Sequence, residues 1–224
     1  VLEAPENVEV SSTLDAEIYS FTLAGAAAIG KSGGGGGYAF SGAGAFSRNQ
    51  VTGSAEAYIK KGSVVAGEDI KVEAKNESKL EAHTVGFSVA VGASSKKTAG
   101  ALSIGLSLGY NFDATDVLAY ISDGAVVTSK KGDITVSSTN KVDIDTTVVA
   151  ASVAAGYSSS DKALALSGGG AIAENRISGK TNAYVDSSTV VSGSEATSGS
   201  DLTISASNDA STIDAAVIAA AISA

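Results

Sequence analysis

Asp69-Ile70-Lys71-Val72-Glu73-Ala74 alternates apolar with charged residues at period two, the pattern of a β-strand with one wet face. The same signature returns as Asn7-Val8-Glu9-Val10, Asp133-Ile134-Thr135-Val136 and Asp201-Leu202-Thr203-Ile204, at spacings of 62, 64 and 68 residues. A second marker keeps step: Ala57-Tyr58-Ile59, Ala119-Tyr120-Ile121 and Ala183-Tyr184-Val185 lie 62 and 64 residues apart. A third follows it, as Gly62-Ser63-Val64-Val65, Gly124-Ala125-Val126-Val127 and Ser188-Thr189-Val190-Val191. Three markers in fixed order at one period define an internal repeat. The chain 1–224 therefore reads as one repetitive segment with units 7–68, 69–132, 133–200 and a partial 201–224. Its structural repeat positions are Asp69, Asp133 and Asp201 at a turn, and Tyr58, Tyr120 and Tyr184 in line along the long axis.

The rest of each unit also alternates. Ala101-Leu102-Ser103-Ile104-Gly105-Leu106-Ser107-Leu108-Gly109 and Val85-Gly86-Phe87-Ser88-Val89-Ala90-Val91 put all their bulk on one face and leave the other nearly bare. Ala-rich residues 148–155 and 215–221 have helix propensity. The equivalent stretch 85–91 is poor helix material, so strand is the expectation throughout. Gly67-Glu68-Asp69, Lys131-Gly132-Asp133 and Gly199-Ser200-Asp201 read as turns, with Pro5-Glu6-Asn7 in the same place. The glycine tract 33–37 aligns with 94–98 and 158–161 as variable loops on one edge. A circuit of three short strands needs roughly 20 residues or more, so a unit of this length has room for three circuits, and the sequence leaves their number open.

Composition narrows the function classes. There are 26 Gly, one Pro, and no Cys, Met or Trp, with aromatics at 5%. Without Cys there is no disulfide or thiolate chemistry. The formal charge of −9 and the lack of a basic stripe argue against nucleic acid and anionic membrane as partners. The apolar run 215–224 is too short to span a bilayer as a helix, so no direct membrane insertion is expected. The apolar, uncapped end 213–224 predicts further repeats of the same chain as neighbours and end-to-end association.

The Gly-Asp-hydrophobic-x-hydrophobic unit, the stretch Gly168-Gly169-Gly170-Ala171-Ile172-Ala173-Glu174-Asn175-Arg176-Ile177 and the following Ala183-Tyr184-Val185 resemble the filamentous-haemagglutinin type of giant repetitive bacterial adhesin. Related stretches are 42–51 and 104–113. The resemblance covers the whole chain in style and repeat spacing. It implies an all-β fold, a right-handed parallel β-helix (β-solenoid). It also implies export by two-partner secretion or as an autotransporter passenger, an extracellular location on the bacterial cell surface, and a role in adhesion or as a spacer. The implied partner is a receptor or glycan on a host or neighbouring cell.

Candidates for chemistry are few. His83 is the only histidine, and its repeat equivalents are Phe21, Thr147 and Ala215, so it reads as surface or structure. Asp143 and Asp145 share one strand face and are the candidate calcium ligands, with solvated strand charge as the competing reading. No other cofactor is indicated. The glycine tract 33–37 lacks the Lys-Ser or Lys-Thr ending of a phosphate loop. Bare Ala/Gly/Ser faces suggest an ice-binding surface, but Thr is scattered rather than ranked. No enzyme is expected. The leading function is a structural or adhesive segment acting as a stiff stalk or contact surface. The alternative is a carbohydrate-binding or tailspike-like β-helix domain.

Overall fold

Alternating sequence becomes strand almost everywhere. A computed structural model describes residues 1–196, 199–209 and 211–224; positions 197, 198 and 210, within the third and fourth units, lie outside the described residues. The strands are β1 (Leu2–Ala4), β2 (Val8–Leu14), β3 (Glu17–Ser32), β4 (Gly37–Lys60), β5 (Ser63–Ala66), β6 (Ile70–Ser94) and β7 (Ala99–Ser122). They continue as β8 (Val126–Ser129), β9 (Ile134–Ser158), β10 (Ala163–Ile177), β11 (Thr181–Val185), β12 (Thr189–Val191), β13 (Leu202–Asn208) and β14 (Thr212–Ser223). The Ala-rich stretches 148–155 and 215–221 are strand, within β9 and β14.

All pairings are parallel and form three sheets. A first long sheet stacks β2 and β3, then β6, then β9, then β13 and β14. A second long sheet stacks β4, β7, then β10 and β11. A short sheet holds β1, β5, β8 and β12. Each unit thus runs once through the three sheets, not the three times its length has room for. The reason is strand length: β6 and β9 have 25 residues and β7 has 24. At 3.3 Å per residue these strands are about 80 Å long.

Register follows the repeat with local slips. β2 and β3 pair with β6 at offset 62, and β6 with β9 at offset 64. In the short sheet, Val64 lies beside Val127 and Val127 beside Val190, one residue away from the alignment of the third marker. The turn after β7 holds one more residue than the turn after β4, with Asp123 and Gly124 at positive φ. At the far end Asn208 pairs with Asn140 but Thr212 with Asp143, so the offset grows from 68 to 69. Thr147 consequently pairs with Ala216, correcting the equivalence of His83 with Ala215.

The two long sheets face each other, and their facing surfaces change character along the strands. In the lower half, next to the short sheet, the interior is aliphatic: Ile70, Val72, Leu80, Val117, Ile121, Ile134, Val136, Val142 and Ile144 are buried. In the upper half, toward the turns at 33–36, 95–98 and 159–162, the interior holds Thr84, Gly86, Ser88 and Ala90 against Ala101, Ser103, Gly105, Ser107 and Gly109. Side chains there are too small to hold the sheets apart. A Cβ on Gly86 would meet the Leu106 carbonyl oxygen at 2.7 Å, and one on Gly105 that of Ala151 at 2.6 Å. Ser88 and Ser103 hydroxyls bond across the gap at 2.6 Å, as do Ser152 and Ser167. The bare Ala/Gly/Ser faces are therefore interior, which removes them as an ice-binding surface. The bulky faces point out: Phe40 is 70% exposed, Leu106 49% and Phe87 47%.

Candidate functional site

In-register side chains form continuous ladders. Tyr58, Tyr120 and Tyr184 share one row of the second long sheet, in line as expected but along the short stacking direction and not the long axis, which the strands themselves define. Their rings stack with centroids 5.2 and 5.0 Å apart and planes at 14° and 1°. The Lys60 ammonium lies 5.5 Å from the Tyr58 ring and 5.2 Å from that of Tyr120. Its hydrogen bond to the Tyr120 oxygen raises its pKa.

At the turn before the first long sheet, each Asp carboxylate caps the next unit. The Asp133 amide donates to Asp69 Oδ1 at 2.8 Å, and the Asp201 amide to Asp133 Oδ1 at 2.8 Å. Asn7 plays the same part for the Asp69 amide at 2.9 Å. A Cβ on Gly132 would sit 2.1 Å from Asp69 Oδ1, so the turn requires glycine there.

Two asparagine ladders cross the interior, one between the two aliphatic clusters of the lower half and one at the border with the small-residue half. Asn76 Nδ2 donates to Asn140 Oδ1 at 2.8 Å. On the facing sheet Asn49 donates to Asn111 at 2.9 Å and Asn111 to Asn175 at 3.2 Å. Asn111 also donates to Thr146 Oγ1 at 2.6 Å. The repeat-based reading passed over these residues. The signal was present, because 49, 111 and 175 recur at 62 and 64, and 76, 140 and 208 at 64 and 68. Asp113 sits in the same interior, in one row with Val51 and Ile177. Burial pushes its carboxyl above the usual range, against the hydrogen bonds it accepts from Thr115 and Asn76.

The outer surface divides as the interior does. Below, the first long sheet carries ion pairs: Lys71 and Lys75 reach Glu73 at 2.9 and 3.0 Å, and Lys79 pairs with Glu81. Burial pushes the Glu73 carboxyl up, but the two lysines prevail and hold it low. Above, both outer faces are apolar, with Phe21, Leu23, Val85, Phe87 and Val89 on one and Phe40, Phe46, Leu102, Ile104 and Leu106 on the other. Between these zones on the second long sheet lies a surface cleft of about 450 Å³, lined by Phe46, Arg48, Tyr110, Phe112, Glu174 and Arg176. Arg176 lies over the Phe112 ring at 5.6 Å, and Phe46 and Tyr110 are 5.5 Å apart. These residues come from three units, so no local stretch of sequence shows the cluster.

His83 is on the outer face of β6, its ring tilted against Tyr19 at 5.5 Å. Asp143 and Asp145 lie on the outer face of β9. Asp143 accepts from the Thr212 hydroxyl at 2.6 Å and pairs in register with Lys79, while Asp145 pairs with Glu81. Among the described residues no three His, Cys, Asp or Glu side chains converge as a metal site would require. No family model, curated protein or solved structure matches the chain.

Proposed function

We propose that the chain is a right-handed parallel β-helix segment of a large secreted bacterial surface protein, and that it works as an adhesive contact surface. The observation that carries this reading is the one circuit per unit. Each added unit lengthens the stack by a single strand spacing, about 4.8 Å, while adding a strand of about 80 Å to each broad face. Sixty-odd residues per 4.8 Å is a poor way to gain length and an effective way to gain face. Of stalk and contact surface, the geometry favours the second. The unbroken Tyr, Asn and Asp ladders support the stiffness that such a surface needs. The reading assigns the chain no reaction, and its location is the cell exterior.

Two measurements test it. Duplicating unit 69–132 should thicken the particle by about 4.8 Å in small-angle scattering without changing its longest dimension. Growth near three times that would refute the one-circuit geometry. Beads coated with the chain should adhere to cultured epithelial or bacterial cells above albumin-coated beads. Equal adhesion would remove the adhesive reading.

The cleft at Phe46, Tyr110 and Arg176 favours a second reading, glycan contact, because aromatic faces beside charged hydrogen-bonding groups are what sugar rings engage. It holds one carboxylate, Glu174, whereas hydrolysis of a glycosidic bond needs two. The cleft is thus read as a binding site only. Tyr110→Ala should abolish retention on a glycan array, and unchanged retention would exclude the cleft.

A further inference from the structure

The upper half of the fold is inverted relative to a water-soluble protein. Its interior is Ser, Gly, Ala and Thr, and its exterior is Leu, Ile, Val and Phe, on both broad faces at the same level. On the first long sheet the apolar rows run from Leu23/Val85/Val149 to Ile29/Val91/Ala155, below which one row sets Phe21 beside His83 and Thr147. On the second they run from Tyr38/Gly100/Leu164 to Phe46/Leu108/Ile172. The first set spans seven residues, about 23 Å, and the second nine, about 30 Å, at 3.3 Å per residue. The wider of the two matches the thickness of a bilayer's hydrocarbon core.

Both rims of this band carry amphipathic aromatics. Tyr38 and Tyr157 stand toward the turns, and Tyr19 and Tyr110 stand toward the charged lower half, in the rows that hold Glu81, Asp145, Arg48 and Glu174. Tyrosine at both edges of an apolar band is the arrangement of interfacial belts. At the upper rim β3 exposes Lys31, in the row of Tyr157, and beyond it the turns expose Lys96, Lys97 and Lys162 against one acid, Asp161. This tip is cationic in a chain whose net charge is −9. Within the band three pairs of facing hydroxyls bond each other, Ser88 with Ser103, Ser152 with Ser167 and Ser47 with Thr84, Ser107 donates to the Val149 carbonyl, and the buried Ser41 hydroxyl has no partner among the described residues. Small-residue packing inside and aliphatic bulk outside is how membrane proteins distribute side chains.

From these four features we infer that the upper half of the blade is a lipid-contacting surface that immerses in a bilayer, with the lysine tip meeting anionic headgroups. The expectation against membrane insertion rests on run length and net charge. Neither registers an apolar face present only at every second residue, and a tip of opposite sign to the whole chain vanishes in the sum. No helix of the described residues is long and apolar enough to cross a membrane, which leaves strands unaddressed. Hydrocarbon penalises unpaired backbone groups, and the stack's outermost strands β3, β4, β10 and β14 each have an open side. The immersed form therefore pairs those edges with further strands, those of flanking repeats or of other copies.

The chain lacks Trp, so a single introduced Trp is a clean probe. Leu106→Trp and Phe87→Trp place it outside the band's two faces, and Asp116→Trp places it on the charged lower half. With vesicles of phosphatidylcholine and phosphatidylglycerol carrying brominated acyl chains, the first two should be quenched and the third should not. Leu106→Asp and Val85→Asp should lower vesicle partition on the order of tenfold, while far-UV circular dichroism in buffer stays that of the parent. Omitting phosphatidylglycerol should also lower partition. Absence of quenching at positions 87 and 106 would overturn the inference. So would a Trp at 106 shielded in lipid-free buffer by association of copies and left unquenched by vesicles, since the apolar faces would then be covered by a second copy.

Discussion

Asn111 is hydrogen-bonded on both sides along the stack, accepting from Asn49 at 2.9 Å and donating to Asn175 at 3.2 Å, and it donates across the interior to Thr146 at 2.6 Å. One side chain therefore joins three strands of one sheet and holds them to the other.

Removing it should be costly. Asn111→Ala removes the acceptor of one Asn49 amide proton and a donor to Asn175 Oδ1 and Thr146 Oγ1, while Asn49 keeps the Glu81 carbonyl and Asn175 keeps the Thr146 hydroxyl. The expected loss is about 1–3 kcal/mol in all, read as a lower urea midpoint. Asn208→Ala, at the exposed end of the other ladder, should cost far less. Equal losses would mean that the ladder does not bear on stability.

The interior of the upper half should reject added volume that the exterior accepts. Gly105→Ala drives a methyl into the Ala151 carbonyl and should cost about 1–3 kcal/mol. Gly168, one row away on the neighbouring strand and facing out, has nothing within 4 Å of the Cβ position. Gly168→Ala should be neutral or slightly stabilising, because alanine has less freedom to lose in a strand. Thermal melting of the pair decides between inward-bare and outward-bare faces.

Tyr120 stacks on two rings and Tyr58 on one. Tyr120→Leu keeps apolar contact but loses both stacks, so it should destabilise by roughly twice as much as Tyr58→Leu, at about 0.5–1.5 kcal/mol per stack. A reversed order in denaturant titration would show that the stack adds nothing beyond area.

Asp113 sets a pH dependence. Its folded-state pKa is raised by burial, so the folded chain holds the proton more tightly than the unfolded chain. Its contribution favours folding below the ordinary aspartate range and is lost as pH rises through the raised value. Asp113→Asn keeps an acceptor for the Thr115 amide without the buried charge. The variant should gain melting temperature over the parent at neutral pH, and the gain should shrink toward zero in acid. A gain independent of pH would assign it to packing instead.

The repeat and its strand character were legible in the sequence because parallel in-register stacking demands like residues at like positions. Asp69, Asp133 and Asp201 recur since each caps the next, and Tyr58, Tyr120 and Tyr184 recur since flat rings stack at the strand spacing. The asparagine ladders were equally legible by the same period. Alternation at period two also separated bulk from bare face in 101–109. It could not say which face would be inside, because the pattern is symmetric under that exchange. The choice was made by the opposite sheet. Where Val72 and Ile121 face inward the sheets stand apart around an aliphatic core, and where Gly86 and Gly105 face inward they close until only glycine, alanine and small hydroxyl side chains fit. Circuit length was likewise tertiary, since it depends on how far two strands run before turning. So was the cleft at Phe46, Tyr110 and Arg176, whose residues are distant in the chain and neighbours only across parallel strands.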